Sequence, residues 1–156
     1  MMFFKKKAKM LKLGAPAPAF ALQDHNGKTV TSASLAGKRV LLWFYPKADT
    51  PGCTAEGQGF CARMPELSDG MVVLGVSFDG VDDNRAFAEK HAFPFGLLCD
   101  TDRAMSMAYG AAASAKDEYP ERITYVIDAD GDIEWAEKVG DIEAHVHAAI
   151  AHLRDA

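Results

Sequence analysis

The sequence predicts an α/β domain: a mixed β-sheet of about five core strands flanked by helices, with a β-hairpin near the N-terminus. Three observations lead there. Two apolar runs, VLLWFY at 40–45 and MVVLGVSF at 71–78, suit strands buried on both faces. Helix-permissive segments follow them at 54–67 and 82–91, so strands and helices alternate early in the chain. Later, RITYVID at 122–128 and the run at 133–139 flank Asp130-Gly131, a hairpin signal that makes the sheet mixed.

Taken in order, residues 15–22, with Pro16 and Pro18, read as extended chain. Residues 24–28, holding Asn26-Gly27, form a turn, and 29–31 are the returning strand of a hairpin. A short turn at 34–37 leads into the 40–45 strand, which stops at Pro46. A loop punctuated by Asp49, Pro51 and Gly52 then delivers Cys53 to the start of the 54–67 helix. Gly57 and Gly59 each cost that helix about 1 kcal/mol relative to alanine, and Pro65 should kink or break it, so it is weak by composition. The 82–91 helix has Phe87 as its main apolar contact, and 95–98 is a third strand. Asp100 or Thr101 suits the cap of a helix over 102–109, stopped by Gly110; 111–120 is a loop of small and polar residues. The last helix, about 141–154, lines up Ile142, Val146, Ala149, Ile150 and Leu153 on one face. No repeat or linker divides the 156 residues, which suit a single domain over 1–156.

Composition narrows the function. Nearly half the residues are apolar, a quarter are charged, and a net charge of -5 gives no electrostatic reason for a nucleic-acid partner. The basic cluster Lys5, Lys6, Lys7 and Lys9 follows Met1, Met2, Phe3 and Phe4, the reverse of a secretory signal's order. Residues 1–10 therefore read as a frayed, solvated terminus with no membrane role. No stretch approaches the ~20 apolar residues that span a bilayer. Cys53, Cys61 and Cys99 are odd in number and lack C-x-x-C spacing, which argues against a disulfide framework, a zinc site and a dithiol oxidoreductase, and predicts a cytoplasmic, reducing setting.

Cys53 is the first candidate for chemistry. The thiolate, not the thiol, is the nucleophile, and unpaired backbone N–H groups at a helix start favour negative charge. Upstream of it, Pro46, Thr50 and Cys53 spell P-x-x-x-T-x-x-C, with Thr-Pro-Gly-Cys-Thr at 50–54. This signature resembles the peroxiredoxins and looks most like their bacterioferritin comigratory protein subgroup. The similarity spans about 13–152 and includes Gly75-Val76-Ser77, Phe93-Pro94-Phe95 and Arg122-x-Thr124. The resemblance implies a thioredoxin-like fold and a peroxide-reducing Cys53. By the same resemblance, Pro46 shields the pocket, Thr50 hydrogen-bonds thiolate and peroxide, and Arg122 holds both from the opposite strand. The implied activity is thiol-dependent reduction of hydrogen peroxide and alkyl hydroperoxides through a sulfenic acid. A thioredoxin-like protein or small thiol restores the cysteine, no metal, haem or flavin is needed, and the molecule is a monomer or homodimer.

Magnitudes rank these roles. A free thiol of pKa ~8.5 is about 3% thiolate at pH 7, so full ionisation raises the reactive fraction only ~30-fold. Enzymes commonly reach at least ~10⁶-fold, so most must come from orientation and from stabilising the departing hydroxide, which weights Arg122 and Thr50 above the thiolate fraction.

The chain departs from the subgroup in one respect. Many members resolve the sulfenic acid with a second cysteine five residues after the first; here that residue is Gln58. Cys61 is the candidate resolving cysteine, yet eight residues along an intact helix is roughly 12 Å, beyond the ~7 Å limit for a disulfide. Pairing requires the helix to open, which Gly57, Gly59 and Pro65 would ease. The competing reading makes Cys61 a buried small hydrophobe. Cys99, ending a strand, is a weaker candidate, and the preferred cycle uses Cys53 alone. A peroxide-sensing or chaperone-like module, oxidised at Cys53 without sustained turnover, is the alternative function. Glu56 suits a helix's first turn for structural reasons and stays outside the catalytic set. His145, His147 and His152 lack the i, i+4 spacing of a metal pair and read as solvated. Trp43, Phe44 and Trp135 read as core.

Overall fold

The computed structural model describes residues 8–155. The expected frayed terminus therefore falls largely outside the described residues, but its last part is docked. Met10 packs against the core, and the Leu11 amide donates to the Tyr125 hydroxyl at 3.0 Å. Gly110 makes room for this crossing: at φ +70° a side chain is strained, and a Cβ there would lie 1.9 Å from the Lys9 carbonyl oxygen.

The hairpin is β1 (Ala21–Gln23) and β2 (Thr29–Thr31), antiparallel, closed by Gly27 at φ +78°. The main sheet comprises β3 (Val40–Phe44), β4 (Val72–Ser77), β5 (Gly96–Cys99), β6 (Ile123–Ile127) and β7 (Ile133–Lys138), in the order β5-β4-β3-β6-β7. β4 lies parallel to β3 and β5, whereas β6 runs antiparallel to β3 and β7 to β6. Among the described residues four α-helices accompany them: α1 (Pro51–Arg63), α2 (Val81–His91), α3 (Ala104–Ala108) and α4 (Ile142–Asp155).

Strand alternation divides the core in two. Leu41 and Trp43 face Phe60 of α1, Phe87 of α2, and Val146, Ala149, Ile150 and Leu153 of α4. Val40, Leu42 and Phe44 face Met105 of α3 and Tyr109, with Leu22 and Val30 of the hairpin packed alongside. As expected, Pro65 ends α1: a single turn of 3-10 helix, Met64–Glu66, replaces it. α3 is shorter than the 102–109 reading, because Arg103 takes a left-handed conformation at φ 66°. The Asp100 carboxylate still serves its start, accepting from the amides of Met105 and Ser106. Among the described residues, no helix is long and apolar enough to cross a membrane.

The glycines of α1 have a packing role. A Cβ at Gly57 would meet Phe93 Cζ at 2.5 Å and Trp43 Cη2 at 3.0 Å, and one at Gly59 would meet Val146 at 3.1 Å. Their absent side chains let α1 lie close to the sheet aromatics and to α4.

Candidate active site

Thr50 is the N-cap of α1 and Pro51 opens it, where proline's missing N–H is no loss. Two residues later Cys53 sits in the first turn, fully buried. Helical spacing puts Cys53, Glu56, Gly57 and Phe60 on the buried face of α1. Arg122 immediately precedes β6, and its carbonyl accepts from the Val139 amide at 2.9 Å. Period-two alternation then sets Arg122 on the same sheet face as Thr124 and Val126, toward α1 and α4. The loop and the distant strand thus converge: Arg122 Nη2 lies 3.5 Å from Cys53 Sγ. Gly52 gives the guanidinium its room, since a Cβ there would stand 3.0 Å from Nη2.

Arg122 is fixed by Glu56, whose Oε1 accepts from Nη1 at 2.8 Å. Glu56 is fully buried, and Arg122's side chain is 18% exposed. Burial pushes the Glu56 carboxyl up to about 7, with the Arg122 hydrogen bond opposing part of that shift. Burial also works against the Arg122 charge, but Glu56 and the Cys53 sulfur outweigh it and raise the guanidinium's pKa.

Thr50 and Pro46 are less committed. The Thr50 hydroxyl donates to the Lys47 carbonyl at 2.7 Å, inside the loop. Pro46 is half-buried where β3 ends. The loop between them is clamped from outside: Asp49, at φ 59°, pairs with Lys90 at 2.9 Å and His91 at 3.3 Å on α2, and the Ala48 amide donates to Asp79.

The other cysteines lie apart from this cluster. Cys61 is half-buried in the second half of unbroken α1, against the aromatic core. Cys99 is buried where β5 ends, takes an Asn84 N–H at 3.5 Å, and has its thiol pKa raised by burial. Asn84 also accepts the Tyr45 hydroxyl at 2.6 Å, in a buried polar knot that sequence reading did not find.

Two residues of the site escaped the sequence. Glu56, kept out of the catalytic set, is the partner of Arg122; its signal was its place three residues after Cys53, on the same helical face. His145, read as solvated, is 1% exposed. Its Nδ1 lies 2.7 Å from Glu137 Oε1 and its Nε2 2.8 Å from Thr124 Oγ1. The signal was its position among Ile142, Val146 and Ala149 on the apolar face of α4. His147 is exposed, and His152 is part-buried, bonded to Glu134 and stacked on Trp135. Among the described residues no group of three or more acidic, His or Cys side chains could hold a metal ion.

The Glu56 shift has a consequence for stability. A folded pKa raised above the unfolded value means that the folded state binds more protons between pH about 4.5 and about 7, so this group's contribution falls as pH rises through that window. His145, held down by burial, contributes with the opposite sign. In Glu56→Gln the first contribution is gone: its Tm relative to the parent protein is expected to climb between pH 5 and 7.5, and a constant difference would refute the burial account.

Residues 13–136 match the model of the AhpC/TSA family. A bcp peroxiredoxin of Coxiella burnetii is 37% identical over 149 residues, covering 92% of this chain and 99% of that protein. Peroxiredoxin Bcp of Escherichia coli K12 is 42% identical over 130 residues, 80% of this chain and 83% of that one. Among solved structures, peroxidoxin BcpB of Mycobacterium tuberculosis matches with a TM-score of 0.85 at 30% identity, over 94% of this chain and 98% of that one. A bacterioferritin comigratory protein of Xanthomonas campestris, studied for its alkyl peroxide reduction activity, matches with a TM-score of 0.80 at 30% identity, over 87% and 90%. The five-stranded sheet is therefore the thioredoxin-like one, and the chain belongs to the AhpC/TSA family, as a thiol-dependent peroxidase of the bacterioferritin comigratory protein group of peroxiredoxins.

Proposed function

We propose that Cys53 is the peroxidatic nucleophile and works in a one-cysteine cycle. One observation carries the reading: a guanidinium held by Glu56 stands 3.5 Å from a buried sulfur. Fixed positive charge is most effective where negative charge develops, on the sulfur before attack and on the leaving oxygen during it. The thiolate attacks the hydroxyl oxygen of ROOH and the O–O bond breaks. The electron pair leaves on RO⁻, which takes a proton to become ROH, and Cys53 becomes a sulfenic acid. One external thiol displaces water to form a mixed disulfide; a second releases it and restores Cys53. The electrons come from those thiols, so no metal, haem or flavin enters the balance. With its O–H given to Lys47, Thr50 retains lone pairs to accept the peroxide proton, while Pro46 screens the sulfur from the loop side.

An unbroken α1 supports an external reductant. Cys61 lies eight residues from Cys53, roughly 12 Å along the axis, and opening the helix would unpack Gly57 and Gly59 from close aromatic and Val146 contacts. The reductant is a thioredoxin-like protein or a small thiol. The substrates are hydrogen peroxide and alkyl hydroperoxides, the latter supported by the Xanthomonas relative. The protein works in the cytoplasm, where its three free cysteines stay reduced, as a monomer or homodimer.

The test is peroxide treatment with a cyclic dione that traps sulfenic acid, followed by mass spectrometry, and turnover with thioredoxin, glutaredoxin or glutathione. The adduct is expected on Cys53, and Cys61→Ser should turn over within about twofold of the parent. A Cys53 to Cys61 disulfide in good yield would sink the one-cysteine cycle.

A further inference from the structure

Glu56 uses only half of its carboxylate. Oε1 accepts from Arg122, but Oε2, fully buried, has no hydrogen-bond partner among the described residues. It faces His145 Nε2 at 3.6 Å, beyond hydrogen-bond reach. The ring's other contacts assign its protons. An ionised carboxylate only accepts, so Nδ1–H donates to Glu137, and the Thr124 hydroxyl donates to the Nε2 lone pair. In that state Glu56 Oε2 is a buried acceptor with no donor among the described residues, an arrangement that native interiors avoid.

A single added proton removes the conflict. Placed on Glu56 it makes the carboxyl neutral; placed on Nε2 it turns that nitrogen into a donor facing Oε2, and the Thr124 hydroxyl gives up the lone pair. The charge sum is the same in both cases. Arg122, Glu56 and His145 together carry no net charge without the proton and one positive charge with it.

We propose that the Glu56–His145 pair carries one buried proton, and that this proton leaves the positive charge of Arg122 free to act on the Cys53 sulfur and on the oxygen that departs from the peroxide. The titratable groups facing the pair are Arg122, just before β6, and Glu137 of β7, with Cys53 of α1 next in line at 3.5 Å from Arg122 Nη2. The remaining contacts are aromatic and uncharged: Phe60 with ring centroids 6.3 Å from His145, and Trp135 at 5.8 Å. Burial raises the Glu56 carboxyl and lowers the His145 imidazole, which puts the proton on Glu56. His145 is therefore a positioning residue. It touches neither peroxide nor sulfur and acts through Glu56 and Arg122.

The inference rests on Cys53 being the nucleophile and predicts a feature that cysteine ionisation alone does not produce. As pH rises, loss of the buried proton sets the Glu56 charge against that of Arg122 and slows the reaction with peroxide.

The experiment measures the second-order rate of oxidation by hydrogen peroxide from pH 5.5 to 9.5, by stopped flow, in the parent protein, His145→Gln and Glu56→Gln. The parent should show a descending alkaline limb of on the order of tenfold. A glutamine at 145 donates to Oε2 without sharing a proton, which stabilises the carboxylate, so the descent should begin at least about one pH unit lower. Glu56→Gln cannot titrate and should lack the descent. Carboxyl ¹³C NMR of the glutamate-labelled parent needs no variant: one buried carboxyl should titrate with the midpoint of the alkaline limb. A parent rate that stays level to pH 9.5, a limb unmoved in both variants, or a Glu56 carboxyl fully ionised by pH 5 each overturns the proposal. Absence of a dione adduct on Cys53 would overturn the nucleophile assignment instead, and the NMR midpoint reports on the proton whichever cysteine reacts.

Discussion

Arg122→Leu is expected to slow the reaction of the protein with hydrogen peroxide by about 10² to 10³, the loss that follows removal of one preorganised donor from a developing anion. Comparison with thiolate content separates two accounts of Arg122. If the guanidinium served only to ionise the Cys53 thiol, its removal would cost thiolate content and peroxide reactivity in equal measure. Arg122 does more in the proposed mechanism, because the same nitrogen that stands 3.5 Å from the sulfur can follow the charge onto the leaving oxygen. The variant should still fold. Glu56, left without its cation in a buried site, keeps its proton and stays neutral. Arg122→Lys keeps a charge but cannot donate to Glu56 and sulfur through one rigid fork, so it should fall between the parent and the leucine variant. The check pairs stopped-flow oxidation with the rate of alkylation by iodoacetamide, which reports the thiolate. Equal losses in both would reduce Arg122 to a thiolate stabiliser.

Gly57→Ala should lower stability by about 2 kcal/mol, and Tm by about 4–8 °C, although helix propensity alone predicts a gain of about 1 kcal/mol. Propensity considers the helix by itself. In the folded protein the new methyl group would stand 2.5 Å from Phe93 Cζ and 3.0 Å from Trp43 Cη2. Phe93 cannot readily give way: it stacks on Phe95 with centroids 5.1 Å apart, on His91 at 5.6 Å, and edge-on to Phe87 at 5.0 Å. Trp43 is fully buried at the centre of the same cluster. Overpacking therefore wins over propensity. Thermal unfolding at fixed pH decides the sign, and an alanine variant more stable than the parent would mean that α1 is held less tightly than the aromatic contacts imply.

Apolar runs located β3 and β4, Asp130-Gly131 located the β6–β7 turn, and Pro46 and Thr50 pointed to Cys53, because each signal lies within a few residues of the structure it specifies. The weak composition of α1 was visible too, but its reason was not. Gly57 and Gly59 looked like sites for opening a helix, whereas the fold uses them as sites of close approach, to partners 36 and 87 residues away in the chain (Phe93 and Val146). Arg103 and its left-handed turn shortened α3 for a similarly local reason that composition did not announce.

The sequence by itself determined the alternation of elements, the position of a cysteine in the first turn of a helix, and the motif that identifies its chemistry. These follow from short-range periodicity, caps and turn residues. Only the tertiary structure decided which charges surround that cysteine. Arg122 comes from the start of β6, Glu56 from α1 and His145 from α4, and they meet because strand alternation and helical spacing turn all three toward one buried space. Burial is a property of that assembled space and not of any residue, which is why a glutamate suited to a helix's first turn and a histidine that looked solvated became the groups on which the charge of Arg122 depends.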